Sequence, residues 1–424
     1  MFRLKLKAGA LQFTTFIVVI IALLLTAFIL LVHTHKLFQV QSDFIIETTR
    51  LSNKGIDYCL KHSIRLNDTI TINTEDETYK TLKVHRDFWG VLEKVTSTAS
   101  IKHKQFQKVA LVGAKQTENS RRALYVQDNN KPLVLVGNTK VEGMSFLPKQ
   151  GVRTGNISGD SYYGSQLIYG STRVSSSLPK LASEITNSLS RLKNINSTIS
   201  QNQFLNLQEG EAYSNSFFEP LQIIYSNTAL NLRGDALTGH ILVQSKSKII
   251  VYPSSNLKDV VLVAPEIEIK PNTVGNFQAI STKQIIIGKD VQLNYPSALI
   301  LNKKSSIKPK NSIASVEEAI TIKENATIKG VVVYFGKNKP NNYKPQIILE
   351  EGAIIHGELY NTQNTELRGK IYGTVFTDNF LVNQSGSVYQ NHIYNGTINI
   401  NKLPQEYVGL QFNDSKKDVL KWLY

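Results

Sequence analysis

The side chains able to do acid–base chemistry are scattered along this chain. Cleaving a glycosidic bond needs two carboxyl groups held about 5–10 Å apart. Adjacent acidic pairs occur at Glu317-Glu318 and Glu350-Glu351. Neighbouring residues on a strand point to opposite faces, so both pairs read as solvated corners ahead of repeat units. Asp235, Asp259, Asp290 and Asp378 stand alone. Carboxylates distant in sequence could still converge across stacked strands, which keeps a polysaccharide-processing enzyme as a third reading. Of the eight His, His33 and His35 border an apolar run, while His240, His356 and His392 are single. His356 falls in the outward slot that Lys329 fills in the neighbouring repeat. The strings His-x-x-x-His, Cys-x-x-Cys, Gly-x-Ser-x-Gly and the Walker motif are all absent. Ser158-Gly-Asp-Ser-Tyr-Tyr-Gly164 reads as turns rather than a phosphate loop. The expectation is a non-enzyme with no catalytic, cofactor-binding or metal-binding residues.

Charge and cysteine content narrow the class. The formal net charge is +15, but the Lys and Arg are dispersed, with modest clusters only at Lys303–Lys310 and Lys416–Lys421. Such a surface solubilises more often than it binds specifically, which disfavours nucleic acid as a partner. Cys59 is the only cysteine, so no intramolecular disulfide forms and the fold rests on its core. Its default role is that of a small buried hydrophobe.

The N-terminus carries the strongest single signal. Leu11–Val32 is an uncharged run containing Phe13, Phe16, Ile17, Ile20, Leu23 and Phe28. About 22 residues at about 1.5 Å each span roughly 30 Å, the thickness of a bilayer's hydrocarbon core. Arg3, Lys5 and Lys7 precede it without an acidic residue, so the positive-inside bias places that end in the cytoplasm and exports the bulk. A cleaved signal peptide would have a shorter apolar core and a small-residue cleavage site, and the following His33, Thr34, His35 and Lys36 offer none. The expected location is a single-pass inner membrane protein with its bulk periplasmic or extracellular. Beyond the span, Phe38, Phe44, Ile45 and Leu51 recur at roughly helical spacing, and Gly55 is the expected stop. With Lys7-Ala-Gly-Ala10 ahead of the apolar run, this stretch resembles the N-terminal stem of type IV pilins and pseudopilins. It departs from them in lacking the acidic residue usual early in that stem. The resemblance implies lateral packing with other membrane helices.

The second half repeats itself. Short apolar pairs such as Ile241/Val243, Ile249/Val251, Val261/Val263, Ile285/Ile287 and Ile320/Ile322 alternate with polar or turn residues, the period of inward-facing strands. Ile322–Gly330 matches Leu349–Gly357 at an offset of about 27 residues, a self-similarity that marks stacked repeats. Weaker copies carry Gly369, Gly373 and Gly396. Each x-Ile-x-Gly element points an apolar residue inward and lets a glycine turn the corner; the repeat corners are Gly330, Gly357, Gly369, Gly373 and Gly396. One such unit cannot bury its apolar residues alone, but stacked units build a continuous core. The expected fold is mainly β: a single-stranded parallel β-helix (solenoid) with an N-terminal transmembrane helix and helical stalk. The repeats resemble those of bactofilin-type proteins and other bacterial β-solenoids. An antiparallel sandwich would want longer strands and Asn-Gly or Asp-Gly turns, and Asn395-Gly396 is the one such dipeptide.

The expected division is 1–10 cytoplasmic basic end, 11–32 transmembrane helix, 33–60 helical stalk and 61–130 small β-rich collar. It continues with 131–175 first solenoid coils, 176–215 helical insertion, 216–400 parallel β-helix and 401–424 C-terminal cap or tail. The functional expectation is a membrane-anchored scaffold of the bacterial cell envelope, serving a pilus-like, secretion or DNA-uptake apparatus. Its partners would be the lipid bilayer and envelope proteins or further copies of itself. The alternative is a surface adhesin or carbohydrate-binding protein, with Tyr162, Tyr163 and Tyr169 stacking on polysaccharide.

Overall fold

The computed structural model describes residues 8–73, 79–117, 121–192, 195, 199–303, 318–336, 341–413 and 415–424. Arg3, Lys5, Lys7, Glu317 and most of the Lys303–Lys310 cluster lie outside the described residues. The chain forms two compact units. One comprises Met1–Asp57, Ile70–Val84 and Ser97–Gln107; the other comprises Tyr58–Thr69, His85–Thr96 and Lys108–Tyr424.

In the first unit the apolar run and the stalk are one helix, α1 (Ala8–Lys61). No proline interrupts it, and the hydroxyls of Thr14 and Thr26 donate back to the carbonyls of Ala10 and Ala22 at 3.1 and 2.8 Å. Polar side chains inside the run thereby satisfy themselves within the helix. Gly55 does not stop α1. A Cβ there would lie 2.1 Å from Ser97 Oγ and 3.0 Å from Leu82 and Val84, so this glycine serves close packing rather than termination. Leu51, Leu82, Ala99 and Ile101 form the unit's small core, with Phe44 and Ile72 packed against it.

The second unit is dominated by parallel strands stacked layer on layer. Ala212–Asn215, Gln222–Ser226 and Leu230–Leu232 pair respectively with Ala236–Gly239, Ile241–Ser245 and Lys248–Val251. These three in turn pair with the beginning, middle and end of one long strand, Asn256–Ile269. Three tracks of pairing continue in step through Val274–Ile287, then Gln292–Asn302 with Ile320–Ile322, then Thr327–Phe335 with Ile347–Leu349. They go on through Ile354–Leu367 to Lys370–Gln384. Parallel register excludes the antiparallel sandwich for this array. Inward residues of every layer, among them Leu237, Leu257, Leu293, Ile328, Ile355 and Ile371, are buried in one core. The outer face of the middle track forms a second cluster, where Leu242, Val261, Ile300 and Val333 pack with Leu181 and with Ile185, Leu189 and Leu192 of α2 (Ser183–Leu192).

Three expected boundaries differ in the structure. Residues 131–175 precede the array in sequence but pair at its far end. Leu124–Val126 adds to Lys370–Gln384, Ser145–Leu147 adds to Leu124–Val126, and Thr172–Val174 adds to Ser145–Leu147. Leu124–Val126, placed in the collar by the sequence, is thus an array strand. The C-terminal strands His392–Tyr394 and Thr397–Asn399 interleave there, pairing with Leu133–Val136 and Lys140–Glu142. Short strands cannot announce from sequence alone which layer they will join, because every layer presents the same backbone edge. Finally, the tail does not close an end of the array: Lys417–Leu423 pairs antiparallel with Lys104–Lys115. This strand meets an open strand edge, and Leu423 and Leu420 pack into the outer cluster on the middle track.

Candidate functional site

The repeat glycines fall into two groups. Gly330, Gly357 and Gly373 are register partners in successive layers, with φ of 144°, 145° and 157°. A Cβ on Gly330 would lie 1.9 Å from the carbonyl oxygen of Ser297, on Gly357 1.9 Å from that of Gly330, and on Gly373 1.8 Å from that of Gly357. Layers touch backbone to backbone along this column, and no side chain fits. Gly369 and Gly396 have no positive φ and sit at another bend, where a Cβ would meet the backbone oxygens of Ala353 and Leu367 at 2.3 and 2.8 Å.

The anchor residues share one property. Phe13, Phe16, Ile17, Ile20, Leu23 and Phe28 are all exposed, from 38% at Ile17 to 65% at Phe28. The apolar segment of α1 is long and apolar enough to cross a membrane, and its most hydrophobic window has no buried residue.

The tyrosines proposed to stack on sugars are tied to their own loop. Tyr162 donates to the Gln166 carbonyl and packs on the inner core. The Tyr169 hydroxyl lies 3.1 Å from Ser165 Oγ, with the Lys140 ammonium 5.2 Å from its ring. Tyr163 alone is widely exposed. His356 stacks edge-on with Tyr372, and burial together with Lys329 and Lys402 holds its imidazole below the usual range.

Two buried clusters carry charge that the sequence reading missed. Glu358 lies at the base of a cleft of about 380 Å³ lined by Gln116, Arg122, Phe376, Phe412 and Lys416. The Leu410 N–H donates to it at 2.6 Å, and Gln116 Nε2 donates as well. Burial pushes its carboxyl up to about 7 despite those two donors. Tyr407 reaches the Gly330 carbonyl at 3.1 Å and Tyr295 the Val408 carbonyl at 2.7 Å, so the segment 407–410 is strapped to the array. The signal lay in the repeat itself: Glu358 occupies a slot held by Val331 and Thr374 in adjacent layers.

The second cluster centres on Glu93. Arg86 Nη2 donates to it at 3.0 Å, with Nε in ion-pair range at 2.9 Å, and Lys417 Nζ lies 2.8 Å from both oxygens. Arg86 also donates to the Ile64 carbonyl at 2.7 Å. Burial works against the carboxylate, but the Arg86 and Lys417 partners outweigh it and hold Glu93 below the ordinary range. Cys59 packs beside it, fully buried, its thiol pushed up to about 11 by burial and the Glu93 charge. A thiol so placed is inert. Among the described residues, no group of three or more His, Cys, Asp or Glu is placed to hold a metal ion.

No family model matches the chain, and no curated protein matches it. Among solved structures it is similar to the crystal structure of competence-associated pilin ComZ from Thermus thermophilus, at 10% identity. That likeness covers 85% of this chain and 89% of that one, with a TM-score of 0.19. At such a score it carries no argument about fold or role.

Proposed function

We infer that this chain is a membrane-anchored structural protein of the bacterial cell envelope whose exported part is a parallel β-helix serving as an assembly scaffold. The observation that carries this reading is the apolar run of α1, whose residues Phe13 to Phe28 have no protein covering them. Apolar surface of that extent on a helix belongs in lipid. The stacked parallel layers with their glycine column support a solenoid, because each layer completes its core only against the next. The role is structural rather than catalytic, in a pilus-like, secretion or DNA-uptake apparatus. The N-terminus is cytoplasmic, α1 crosses the inner membrane, and the array is periplasmic or extracellular.

The test is fractionation with protease protection. The full chain is expected to resist alkaline extraction from membranes, and its array is expected to be cleaved only after protease is admitted to the periplasmic side. Recovery of the intact chain in the soluble fraction would sink the proposal. Crosslinking in membranes followed by purification is expected to capture envelope proteins or further copies of the chain.

A further inference from the structure

The array has two open ends, and they are not alike. At one end Phe204–Leu205 pairs with Gln222–Ser226; at the other Thr172–Val174 pairs with Ser145–Leu147. Among the described residues, neither strand has a partner on its outer side. Both belong to the same track, since successive register pairs lead from one to the other through every layer. An unpaired edge is a template for a further strand. Solenoids that stay monomeric cover such ends with polar caps. Among the described residues, half-buried apolar groups lie at both ends: Leu205, Leu207, Tyr213 and Leu230 at one, Val152, Tyr162 and Leu167 at the other. Val174 is 65% exposed and Phe204 37%.

Charge distinguishes the ends. Lys149, Arg153 and Arg173 are exposed at the Thr172–Val174 end, and Glu209 and Glu211 at the Phe204–Leu205 end. All strands of this track run in the same sense, so only a head-to-tail contact continues the parallel pairing; a head-to-head contact would oppose both strand direction and like charges.

We propose that a second copy of this chain docks head to tail on the first, with Thr172–Val174 of one copy pairing in parallel with Phe204–Leu205 of the next. Carrying the internal register across the junction sets Thr172 beside Leu205 and Arg173 beside Asn206. The contact is heterologous, so it propagates into strings rather than closing as a dimer. The proposal rests on the reading of the array as an open-ended solenoid.

The test uses the full chain in detergent micelles. Charge reversal at the basic end (Arg153→Glu with Arg173→Glu) makes both ends acidic. Reversal at the other end (Glu209→Arg with Glu211→Arg) makes both ends basic. Each variant alone is expected to self-associate about tenfold more weakly than the wild type, and an equal mixture is expected to recover string formation by alternation. Separately, Arg173→Cys and Asn206→Cys in one chain are expected to give a ladder of disulfide-linked multimers. Within a single copy these two positions are about 50 Å apart at the usual strand spacing of ~4.8 Å, beyond any internal bridge. Association unmoved by either reversal would overturn the proposal, as would crosslinking of Arg173→Cys alone as efficient as that of the pair. The solenoid reading is checked independently by Thr238→Cys with Lys258→Cys, register partners inside one copy, which must form an internal disulfide whether or not copies stack.

Discussion

A single carboxylate, Glu93, ties three separate parts of the second unit together, because Arg86 and Lys417 both spend their charge on it. Removing one member of a buried pair leaves the other desolvated, which costs about 3–5 kcal/mol. Glu93→Gln is therefore expected to lower stability by that amount in denaturant unfolding, whereas Lys115→Gln, at an exposed pair with Asp418, is expected to leave it nearly unchanged. Glu93 also sets an acid limit. Its folded value is depressed, so the unfolded state binds more protons below about pH 4.5, and stability falls as pH drops through that window. Glu358 works in the opposite sense. Its folded value is raised to about 7, so its contribution is fullest below the unfolded value near 4.5 and declines as pH rises towards 7. At about 1.4 kcal/mol per pKa unit, the decline is of order 3 kcal/mol. Glu358→Gln keeps an acceptor for the Leu410 N–H and is expected to flatten that slope; an unchanged pH profile of unfolding would refute the assignment.

At the scale of elements, the sequence disclosed those whose periodicity is local. The apolar run, its helical continuation, the strand pairs around Ile241–Val251 and the repeat at Gly330 and Gly357 could all be read from neighbours within one repeat. The glycine column was legible as composition, but its cause was not. The 1.8–1.9 Å approach to carbonyl oxygens of the next layer is a contact between residues distant in sequence. That contact separates two kinds of glycine. Gly357→Ala must displace a neighbouring backbone and is expected to cost about 3 kcal/mol or more. Gly210, also at positive φ but with nothing within 4 Å of its Cβ position, is expected to lose only about 1 kcal/mol on change to Ala, the cost of backbone conformation alone. Equal losses at both positions would show that packing at the column is irrelevant. For α1, exposed apolar residues at Ile20 and Leu24 give the corresponding test. Ile20→Arg with Leu24→Arg adds roughly 2.5–3.5 kcal/mol per residue at the centre of a span, and is expected to shift the chain out of the alkali-resistant membrane fraction.

At the scale of the chain's whole path, sequence order and spatial order part company, and this is where reading from sequence failed. Residues 124–174 join the array beyond Lys370–Gln384, so the earliest array strands in sequence occupy the last layers in space. No periodicity encodes that choice. Each short strand offers the same parallel edge, and α2, which follows these strands in sequence, packs on the outer face of the middle track. The junction is sealed by the late strands His392–Tyr394 and Thr397–Asn399. Ile398 is fully buried there, with Ile371 as register partner on one side and Val141 on the other. The layers formed by 124–174 therefore pair with strands made near the end of synthesis, while the layers from 236 to 302 pair with neither of these two strands. Ile398→Ala removes buried volume at the seam, a loss of about 2–4 kcal/mol. Because the array is layered, this loss should fall first on its own neighbours. Hydrogen exchange is expected to speed up at Leu133–Leu135 and Val141 while amides of Val261–Val263 and Ala279–Ser281 keep their protection. A uniform acceleration through all layers would mean that the array unfolds as one cooperative block and that the seam has no separate stability.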